Sequence, residues 1–537
     1  MLGYQATLQA DPGWTSANSH AEPLAPPLPA PLMDEFLEPV LAVALRLLES
    51  RVTGSQRVFA GLPVPLDGLT SVLEQRLTGI FTQALAACLE TDDSFPASTY
   101  GDIICKFPIL SRLMRRAEAE WADAVVAFLG RLQHDAPGFP AWLGVERLPP
   151  IALLSATTAD LHPGGHFGIR IVFDGGLCLY YKPRPVTGEW LWGGLLDAIA
   201  EGDPALRLPA ARVLAGRRAG QYGWAESVLP YEFVDPTRGA TVRTGDHDFW
   251  HAAGATLCLA QHVRLTDLHL GNILATPCGP AITDAECLAS PQLTLSESGE
   301  AEASRALSAL LDTGLLPRKS PTGFPDASGL FGTAAPVPRI TLPTWALDSG
   351  GKWRLQPAPA VLLDHGNAPA CTSPVAVLPQ LLAGYRHGAE VLRSVRSGLL
   401  DSGSSWRKVL ETSHAPRTIV RDTLRYAMML SRSLEPACLA SAPRRAASLL
   451  DALRDEVPDA LAPAIVRAES HALQHLHIPR FVVPPGTRTL TTGAGRALAR
   501  NFCTAAPADA VVKQMEELST QRLESVQIPA LLLAILG

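Results

Sequence analysis

Acidic, amide and imidazole side chains recur within one short stretch, LTDLHLGNILATPCGPAITDAECLA, at Asp267, His269, Asn272, Asp284 and Glu286. Short apolar runs on either side of a turn at Pro277–Pro280 predict two strands joined as a hairpin. Because a hairpin brings its two ends together, the loop that contains Asp267 should lie beside Asp284. We therefore expect metal-binding oxygens and an acid/base group to converge there.

Phosphoryl transfer requires such a set of side chains. The transferred phosphoryl group passes through a loose transition state, so the protein mainly supplies positioning and neutralises charge through Mg²⁺. Mg²⁺ is typically bound by one or two carboxylates and leaves its other positions to phosphate and water. We predict that Asn272 and Asp284 hold Mg²⁺ and that Asp267 orients or deprotonates the attacking hydroxyl. The pattern D-x-H-x-x-N is also typical of an ordinary turn, and the spacing to Asp284 is what favours the catalytic hypothesis.

A glycine-bearing loop precedes two predicted strands, the second of which ends in a cation. The loop spans residues 160–168, and the strands Ile169–Phe173 and Leu177–Lys182 are joined by a D-G-G turn. Glycines allow backbone to lie close to phosphates, and Lys182 is expected to reach the α- and β-phosphates. A simple turn explains the glycine loop alone equally well. The order of glycine loop, strand, lysine, helix, Asp loop and metal Asp is that of a kinase-like fold.

Two acidic residues after the lysine are candidates for the same cleft. A predicted amphipathic helix over Glu189–Ala200 begins with Glu189, which either pairs with Lys182 or lies solvated in the first helical turn. The segment Gln221–Val228 predicts a strand that carries Glu226 and lines the nucleotide cleft.

Composition limits the class of protein. The chain has 537 residues, of which 47% are hydrophobic and 18% charged, which is typical of a globular protein with about two to four packed units. A net charge of −7 argues against nucleic-acid binding. The sequence contains neither an apolar run of about 18 residues, as a membrane span needs, nor a signal peptide. Its nine cysteines are scattered and lack the spacing of zinc ligands, which indicates a reducing compartment. We expect a cytoplasmic protein without membrane contact.

Periodicity divides the chain into a disordered tail over 1–31, a helical region over 32–150, a β-rich lobe over 151–240 and a mainly helical remainder over 241–537. Helices are predicted over Asp34–Ser50, Leu66–Glu90, Ile109–Gln133, Thr244–His262, Val375–Leu399, Thr418–Arg432, Asp451–Gln474 and Gln514–Leu536. Polar or Pro/Gly/Ser-rich segments over Gln292–Ser304 and Pro317–Pro343 predict loops.

Several motifs in a fixed order resemble the dehydratase domain of class II lanthipeptide synthetases, the LanM type. They are F-P-I-L at 107–110, D-x-H-x-x-G at 160–165, L-Y-Y-K-P-R at 179–184, Y-G-W-x-E at 222–226, T-D-L-H-x-x-N at 266–272, D-x-E at 284–286, T-G-L-L-P at 313–317 and R-x-x-x-R-x-T-x-x-Y at 417–426. The resemblance covers roughly residues 95 to 535. LanM enzymes carry a zinc-dependent cyclase domain beyond this point, and the chain reaches Gly537 without a Cys-His-Gly ligand pattern. It therefore resembles a stand-alone dehydratase.

The resemblance implies a two-step reaction on Ser and Thr of a ribosomally made precursor peptide with a leader. ATP with Mg²⁺ first phosphorylates the hydroxyl, and phosphate is then eliminated to leave dehydroalanine or dehydrobutyrine. The implied fold is α+β, a lipid-kinase-like bilobal core with a small β-rich N-lobe, a helical C-lobe and added helical N-terminal and activation regions. A separate cyclase or other tailoring enzyme is a further candidate partner.

Site residues carry over position by position. Phosphorylation is assigned to Lys182, Asp267, His269, Asn272 and Asp284, the metal-side D-x-E motif adds Glu286, and the nucleotide side is assigned to Asp160, His162, Gly165 and Glu226. Elimination is assigned to Arg417 and Thr423, and Arg421 joins them because a guanidinium binds a leaving phosphate through two parallel hydrogen bonds.

Two other functions remain open. The family usually has Pro at the position of Asp422, whose charge is expected to offset the neighbouring arginines and weaken elimination. A kinase that phosphorylates a peptide or small molecule without elimination is therefore the first alternative. A catalytically dead scaffold that binds leader peptide is the second, and the intact Lys182, Asp267, Asn272 and Asp284 argue against it.

Overall fold

The structure is a computed structural model that describes residues 28–59, 62–91, 100–157, 161–217, 221–228, 246–293, 302–318, 327–331, 339–361, 374–455 and 463–536. Most of the predicted tail, and Asp160, lie outside the described residues and stay predictions. The last residues of that tail belong to the folded body, because a helix begins at Ala30 and Leu28 is buried.

The fold is a mixture of helices and small antiparallel sheets. The helices are α1 (Ala30–Phe36), α2 (Glu38–Arg51), α3 (Asp67–Thr91), α4 (Tyr100–Lys106), α5 (Pro108–Asp135), α6 (Phe139–Leu143), α7 (Thr187–Gly202), α8 (Asp246–His262), α9 (Glu302–Leu311), α10 (Leu378–Leu400), α11 (Ser405–Thr412), α12 (Thr423–Ser433), α13 (Pro436–Leu439), α14 (Ala442–Asp455), α15 (Pro463–Gln474), α16 (Pro507–Glu516), α17 (Thr520–Arg522) and α18 (Ile528–Leu536). The strands are β1 (Val58–Phe59), β2 (Leu62–Pro63), β3 (Ile151–Ala156), β4 (Ile169–Phe173), β5 (Cys178–Lys182), β6 (Val213–Ala215), β7 (Gly223–Glu226), β8 (Ile273–Thr276), β9 (Gly279–Ile282), β10 (Arg339–Leu347), β11 (Trp353–Val361), β12 (Phe481–Val482), β13 (Leu490–Thr492) and β14 (Ala497–Ala499).

The largest sheet contains the strand that carries Lys182. Its order is β3-β4-β5-β7-β6 and every neighbouring pair is antiparallel. Leu179 and Tyr181 point from β5 into the core at 0% and 1% exposure, so the period-2 alternation leaves Lys182 on the other face. The predicted strands over 169–173, 177–182 and 221–228 are confirmed as β4, β5 and β7.

A first core forms where helices α3 and α5 pack on this sheet. Trp121 of α5 is 2% exposed and its indole N–H donates to the Leu69 carbonyl at 2.9 Å, so it belongs to this core. The rings of Phe128 and Tyr181 lie 5.2 Å apart, centroid to centroid. Helices α12, α14 and α15 also contribute buried side chains to this core, which therefore includes parts of the chain beyond residue 240.

A second core is built around α8 and α10. Gly254 and Gly384 bring these helices together, because a side chain at either glycine would collide with a carbonyl oxygen of the facing helix at about 2 Å. Helix α7 follows β5 directly but packs its apolar face into this second core. The helix that carries Glu189 therefore connects the sheet with the helical body.

Several predicted boundaries are wrong for identifiable reasons. The helix predicted over Asp34–Ser50 is interrupted at Leu37, and Pro39 occupies the first turn of α2. Helix α12 begins only at Thr423, because the backbone N–H of Thr418 donates instead to the Phe481 carbonyl at 2.9 Å. The end of the predicted loop Pro317–Pro343 pairs as β10 with β11.

The remaining predicted helices fare as follows. Four of them are confirmed to within three residues at each end, as α3, α5, α8 and α10: those predicted over Leu66–Glu90, Ile109–Gln133, Thr244–His262 and Val375–Leu399. Residues 244–245 lie outside the part of the chain that the structure describes. The segment Asp451–Gln474 contains the end of α14 and all of α15, and Gln514–Leu536 is divided among α16, α17 and α18.

In the described part of the chain, no helix is both long and apolar enough to cross a bilayer.

A partly buried carboxylate, that of Glu120, connects the helical N-terminal region with the C-terminal part of the first core. Glu120 of α5 accepts from Arg76 at 2.6 Å, from Arg116 at 2.7 Å and lies 3.0 Å from the His477 Nε2. Burial alone would raise the pKa of Glu120, but His477 and Arg76 lower that pKa to about 2. The ionised carboxylate is therefore stabilised in the folded protein.

We expect Glu120→Gln to lower the free energy of unfolding at pH 7 by about 2 kcal/mol, less than the full pKa displacement implies because water partly screens this carboxylate. Because the pKa of Glu120 is depressed, its stabilising effect is complete above its unfolded value near 4.5 and is lost as pH falls toward about 2. The difference from wild type should therefore shrink between pH 5 and pH 3 in urea unfolding. Glu35→Gln, on the exposed face of α1, is the matched control. A constant difference across this range would contradict the assignment.

Candidate functional site

The predicted hairpin is confirmed and forms the centre of the candidate site. Strands β8 and β9 pair antiparallel with Ile273 opposite Ile282, and the Thr283 N–H donates to the Asn272 carbonyl at 2.9 Å. Asn272 and Asp284 therefore lie just beyond the same end of the hairpin, as predicted from their spacing.

The loop between α8 and this hairpin holds Asp267 in an uncommon backbone conformation. Its φ is +65°, in the left-handed region that Asp and Asn adopt more readily than most residues. The Asn272 side-chain amide donates to the Asp267 carbonyl at 2.8 Å, and the Thr313 carbonyl accepts from the Leu268 N–H at 2.8 Å. Gly314, at φ +82°, leaves room for the Leu268 backbone. The T-G-L-L-P motif thus positions the Asp267 loop.

Asp267 has an acid–base character suited to a proton acceptor. Burial raises its pKa to about 6, and the nearby Asp284 and Glu286 carboxylates add to the rise while Arg417 opposes it. A base functions best when its pKa lies near the operating pH.

His269 packs within the loop. Its Nδ1 accepts from the Gly271 N–H at 3.0 Å, which starts a short 3₁₀ turn over Leu270–Asn272. Its Nε2 lies 3.2 Å from the Asn272 amide nitrogen. These contacts give His269 a role in holding Asn272.

Lys182 lies beside the hairpin end. Its ammonium group donates to Glu189 at 2.8 Å and to the Thr283 carbonyl at 2.5 Å. The pairing of Lys182 with Glu189 is therefore confirmed. Thr283 directly precedes Asp284, so the strand-borne lysine and the predicted metal-binding aspartate share one region.

Arg184 joins three carboxylates in this region. Its guanidinium lies 2.6 Å from Glu189, 2.7 Å from Asp284 and 3.4 Å from Glu286, and its side chain is only 4% exposed. Together these carboxylates hold the pKa of Arg184 well above its ordinary value, against the effect of burial. Arg184 therefore links the lysine pair to the hairpin.

Glu286 is the partner of three arginines. Arg417 contacts its Oε1 at 2.7 Å, Arg480 pairs with its Oε2, and Arg184 lies 3.4 Å from that second oxygen. Burial would raise the pKa of Glu286, but Arg480, Arg417 and Arg184 hold it well below the ordinary value. Both carboxylate oxygens of Glu286 therefore have arginine partners, and its role as a metal ligand stays a prediction.

His162 lies near these arginines, whereas Gly165 contacts helix α5. Burial lowers the pKa of His162 to about 3, and the Arg480, Arg184 and Arg417 charges contribute, so its imidazole is neutral at pH 7. A side chain at Gly165 would meet the Glu120 Cβ at 2.7 Å. The absence of a side chain at Gly165 therefore makes room for α5, and the predicted contact of Gly165 with a phosphate stays a prediction.

Three other predicted site residues lie outside the contacts that join Lys182, the hairpin and Glu286. Glu226 forms an ion pair with Arg212 at 2.7 Å. Arg421 donates to Glu469 at 2.8 and 3.2 Å, and Glu469 also accepts from Tyr426 at 2.7 Å. Thr423 is buried at the start of α12. Of the three residues assigned to elimination, Arg417 is the one that contacts the segment after the hairpin, through Glu286.

Sequence reasoning missed two arginines of the site. Arg184 had a detectable signal, since it lies two residues after Lys182, and side chains two apart share a face of an extended chain. Arg480 had no such signal, because it is 194 residues from Glu286 in the chain.

Among the described residues, no group of three or more His, Cys, Asp or Glu side chains is arranged to hold a metal ion.

Comparison with known families covers this site. No curated protein matches the chain significantly. The family model described as "Domain of unknown function (DUF4135)" matches residues 107–484, which is more than half of the chain and includes every residue of the Lys182–Asp284–Glu286 cluster. The chain therefore belongs to the DUF4135 family, the domain family associated with LanM-type lanthipeptide synthetases.

Proposed function

We propose that the chain dehydrates Ser and Thr residues of a ribosomally synthesised precursor peptide in the cytoplasm, with ATP as the phosphate donor. The peptide hydroxyl attacks the γ-phosphorus of ATP, and the phosphate is later expelled to leave dehydroalanine or dehydrobutyrine. The observation that carries the proposal is that Lys182, paired with Glu189, donates to the Thr283 carbonyl at the hairpin end, directly before Asp284. Family membership supports the same conclusion.

The phosphorylation half requires a cation for the phosphates and a base for the hydroxyl. Lys182 is a strand-borne point charge oriented by a helix-borne glutamate, an arrangement that kinases use. Asp267 accepts the hydroxyl proton, because a pKa raised to about 6 makes it a stronger base and still leaves it mostly ionised at pH 7. We propose on this basis a lipid-kinase-like bilobal core, in which the five-stranded sheet serves as the N-lobe.

The residues at the hairpin end fit a magnesium ion. Asp284 and Asn272 offer the carboxylate and amide oxygens that Mg²⁺ prefers, and the Asp284 side chain is 29% exposed. Each Asp284 oxygen has one contact, with Arg184 or the Glu286 N–H, and keeps further acceptor capacity. Mg²⁺ needs no closed cage of protein ligands, because phosphate and water complete its shell. Bound there, Mg²⁺ would neutralise charge on the phosphates.

The elimination half requires cations for the departing phosphate. Arg417 contacts Glu286 at 2.7 Å while its side chain keeps 18% exposure. A guanidinium binds phosphate through two parallel hydrogen bonds and keeps its charge at all physiological pH values. We therefore assign leaving-group stabilisation to Arg417.

One assay separates the candidate functions. The protein is incubated with ATP, Mg²⁺ and a Ser/Thr-containing precursor peptide with its leader, and peptide mass is followed. Loss of one water per modified residue supports dehydration, and gain of one phosphate without loss of water supports a kinase alone. No mass change, with the peptide still bound, supports a scaffold and contradicts the proposal.

A kinase without elimination is the second candidate. The observation in its favour is that the Arg421 side chain is 3% exposed and donates to Glu469 and to the Leu453 carbonyl, so a phosphate beside Arg417 would not reach it from solvent. In this case phosphopeptide would be the final product of the wild-type protein.

The pH dependence of phosphorylation should report the ionisation of Asp267. Because its pKa is raised to about 6, the basic form is lost as pH falls through that value. We expect the rate of peptide-dependent ADP release to fall about tenfold per pH unit below about pH 6. Asp267→Asn should lose most of the activity and this pH dependence together. A wild-type rate that stays flat down to pH 5 would contradict the role of Asp267.

A further inference from the structure

Arg480 reaches the candidate site from a separate small sheet. It directly precedes β12, which pairs with β13, and β13 pairs in turn with β14. The backbone around β12 also pairs with the chain at Arg417, through an isolated bridge between Arg417 and Val482 and a bond from the Thr418 N–H to the Phe481 carbonyl at 2.9 Å. Main-chain pairing therefore holds Arg417 and Arg480 in register with each other.

The guanidinium groups of Arg417 and Arg480 bind the same carboxylate, that of Glu286. Arg417 contacts the Oε1 of Glu286 and Arg480 pairs with the Oε2, so each uses one carboxylate oxygen. In the described part of the chain, Glu286 is the carboxylate partner of both, which leaves one positive charge in excess at this pair. A guanidinium carries five N–H donors, so each retains donors for a second anion.

Exposure separates these two arginines from the third. The side chain of Arg184 is 4% exposed and also contacts Glu189 and Asp284, whereas those of Arg417 and Arg480 are 18% and 15% exposed. A ligand that approaches the cluster from solvent therefore meets Arg417 and Arg480 and not Arg184. Two adjacent guanidiniums with one resident carboxylate suit a phosphate dianion, which has more acceptor oxygens and more charge than a carboxylate.

We propose that Arg480 and Arg417 form a two-arginine clamp for the phosphate of the phosphorylated peptide, with Glu286 as the counter-ion that holds the clamp in the free protein. The proposal rests on the proposed function and adds a second residue to its elimination step. In that step a general base takes the α-proton, and the C–H electron pair becomes the Cα=Cβ bond. The Cβ–O bond breaks, and its electron pair leaves on the phosphate, which the two guanidiniums receive.

The test uses the full chain and a synthetic phosphoserine form of the precursor peptide, so that elimination is followed without phosphorylation. We expect Arg480→Gln to slow elimination by about 10²-fold, as expected for loss of one preorganised donor to a developing anion. Phosphopeptide should accumulate from the unmodified peptide and ATP, while peptide-dependent ADP release stays close to wild type. Arg480→Lys should recover part of the elimination rate, because it keeps the charge and loses the planar fork.

Arg496→Gln is the matched control, since Arg496 is exposed in the turn between β13 and β14 of the same small sheet. It should leave elimination unchanged. If Arg480→Gln eliminates phosphate as fast as wild type, or loses phosphorylation and elimination equally with a lower Tm, the clamp is wrong. If instead the wild-type protein leaves the peptide mass unchanged, it is the proposed function that fails.

Discussion

Asp284→Ala should abolish both mass changes of the precursor peptide, with phosphorylation reduced by at least about 10³-fold. Asp284 is the carboxylate at the hairpin end, beside Lys182 and Asn272. Its removal takes away the carboxylate that we propose as a Mg²⁺ ligand, so phosphate would not be added and nothing could be eliminated. The measurements are peptide mass and peptide-dependent ADP release in the same reaction.

The control for this variant must separate chemistry from folding. The backbone N–H of Glu286 donates to the Asp284 side chain at 3.0 Å. Asp284→Asn keeps an oxygen that can accept this bond but loses the negative charge. We expect Asp284→Asn to be inactive with a Tm near that of wild type. Asp174→Ala, in the exposed turn between β4 and β5, should remain fully active. Phosphopeptide produced by Asp284→Ala at an appreciable rate would exclude Asp284 from the phosphorylation site.

Under the proposed function, Arg417→Ala should block elimination and leave phosphorylation as the remaining reaction. The residue contacts Glu286 through its side chain at 2.7 Å and through its backbone N–H, which donates to the Glu286 carbonyl at 2.9 Å. Substitution removes the guanidinium and keeps the backbone bond, so the loop should hold its place. We expect elimination to slow by about 10²–10³-fold while phosphorylation continues, and phosphopeptide to accumulate in the mass spectrum.

The matched control is Arg444→Ala, on the exposed side of α14. Arg417→Lys should fall between wild type and Arg417→Ala, because a lysine keeps the charge but cannot bind phosphate through a fork. Complete dehydration by Arg417→Ala would show that the elimination site lies elsewhere. Loss of phosphorylation as well would indicate that Arg417 acts mainly by holding Glu286.

The sequence by itself determined the local parts of the site. The turn residues between two apolar runs specified the hairpin, and its antiparallel pairing is enough to bring Asn272 and Asp284 to one end. Lys182 and Glu189 are seven residues apart, so the sequence could predict their pairing as one of two possibilities, and the structure shows that they do pair. Amphipathic helices such as α5 were also predictable, because burial of one face imposes a periodicity on the sequence.

Only the tertiary structure decided which cations meet at Glu286. Arg417 is 131 residues from Glu286 and Arg480 is 194, and no periodicity or turn signal encodes contacts at such separations. The small sheet of β12–β14 and its pairing with the segment at Arg417 bring them together. For the same reason the sequence did not predict that Gly165 packs against Glu120 of α5. Hydrogen bonds and side-chain periodicity are local properties of a chain, whereas the meeting of distant charges depends on how its cores pack.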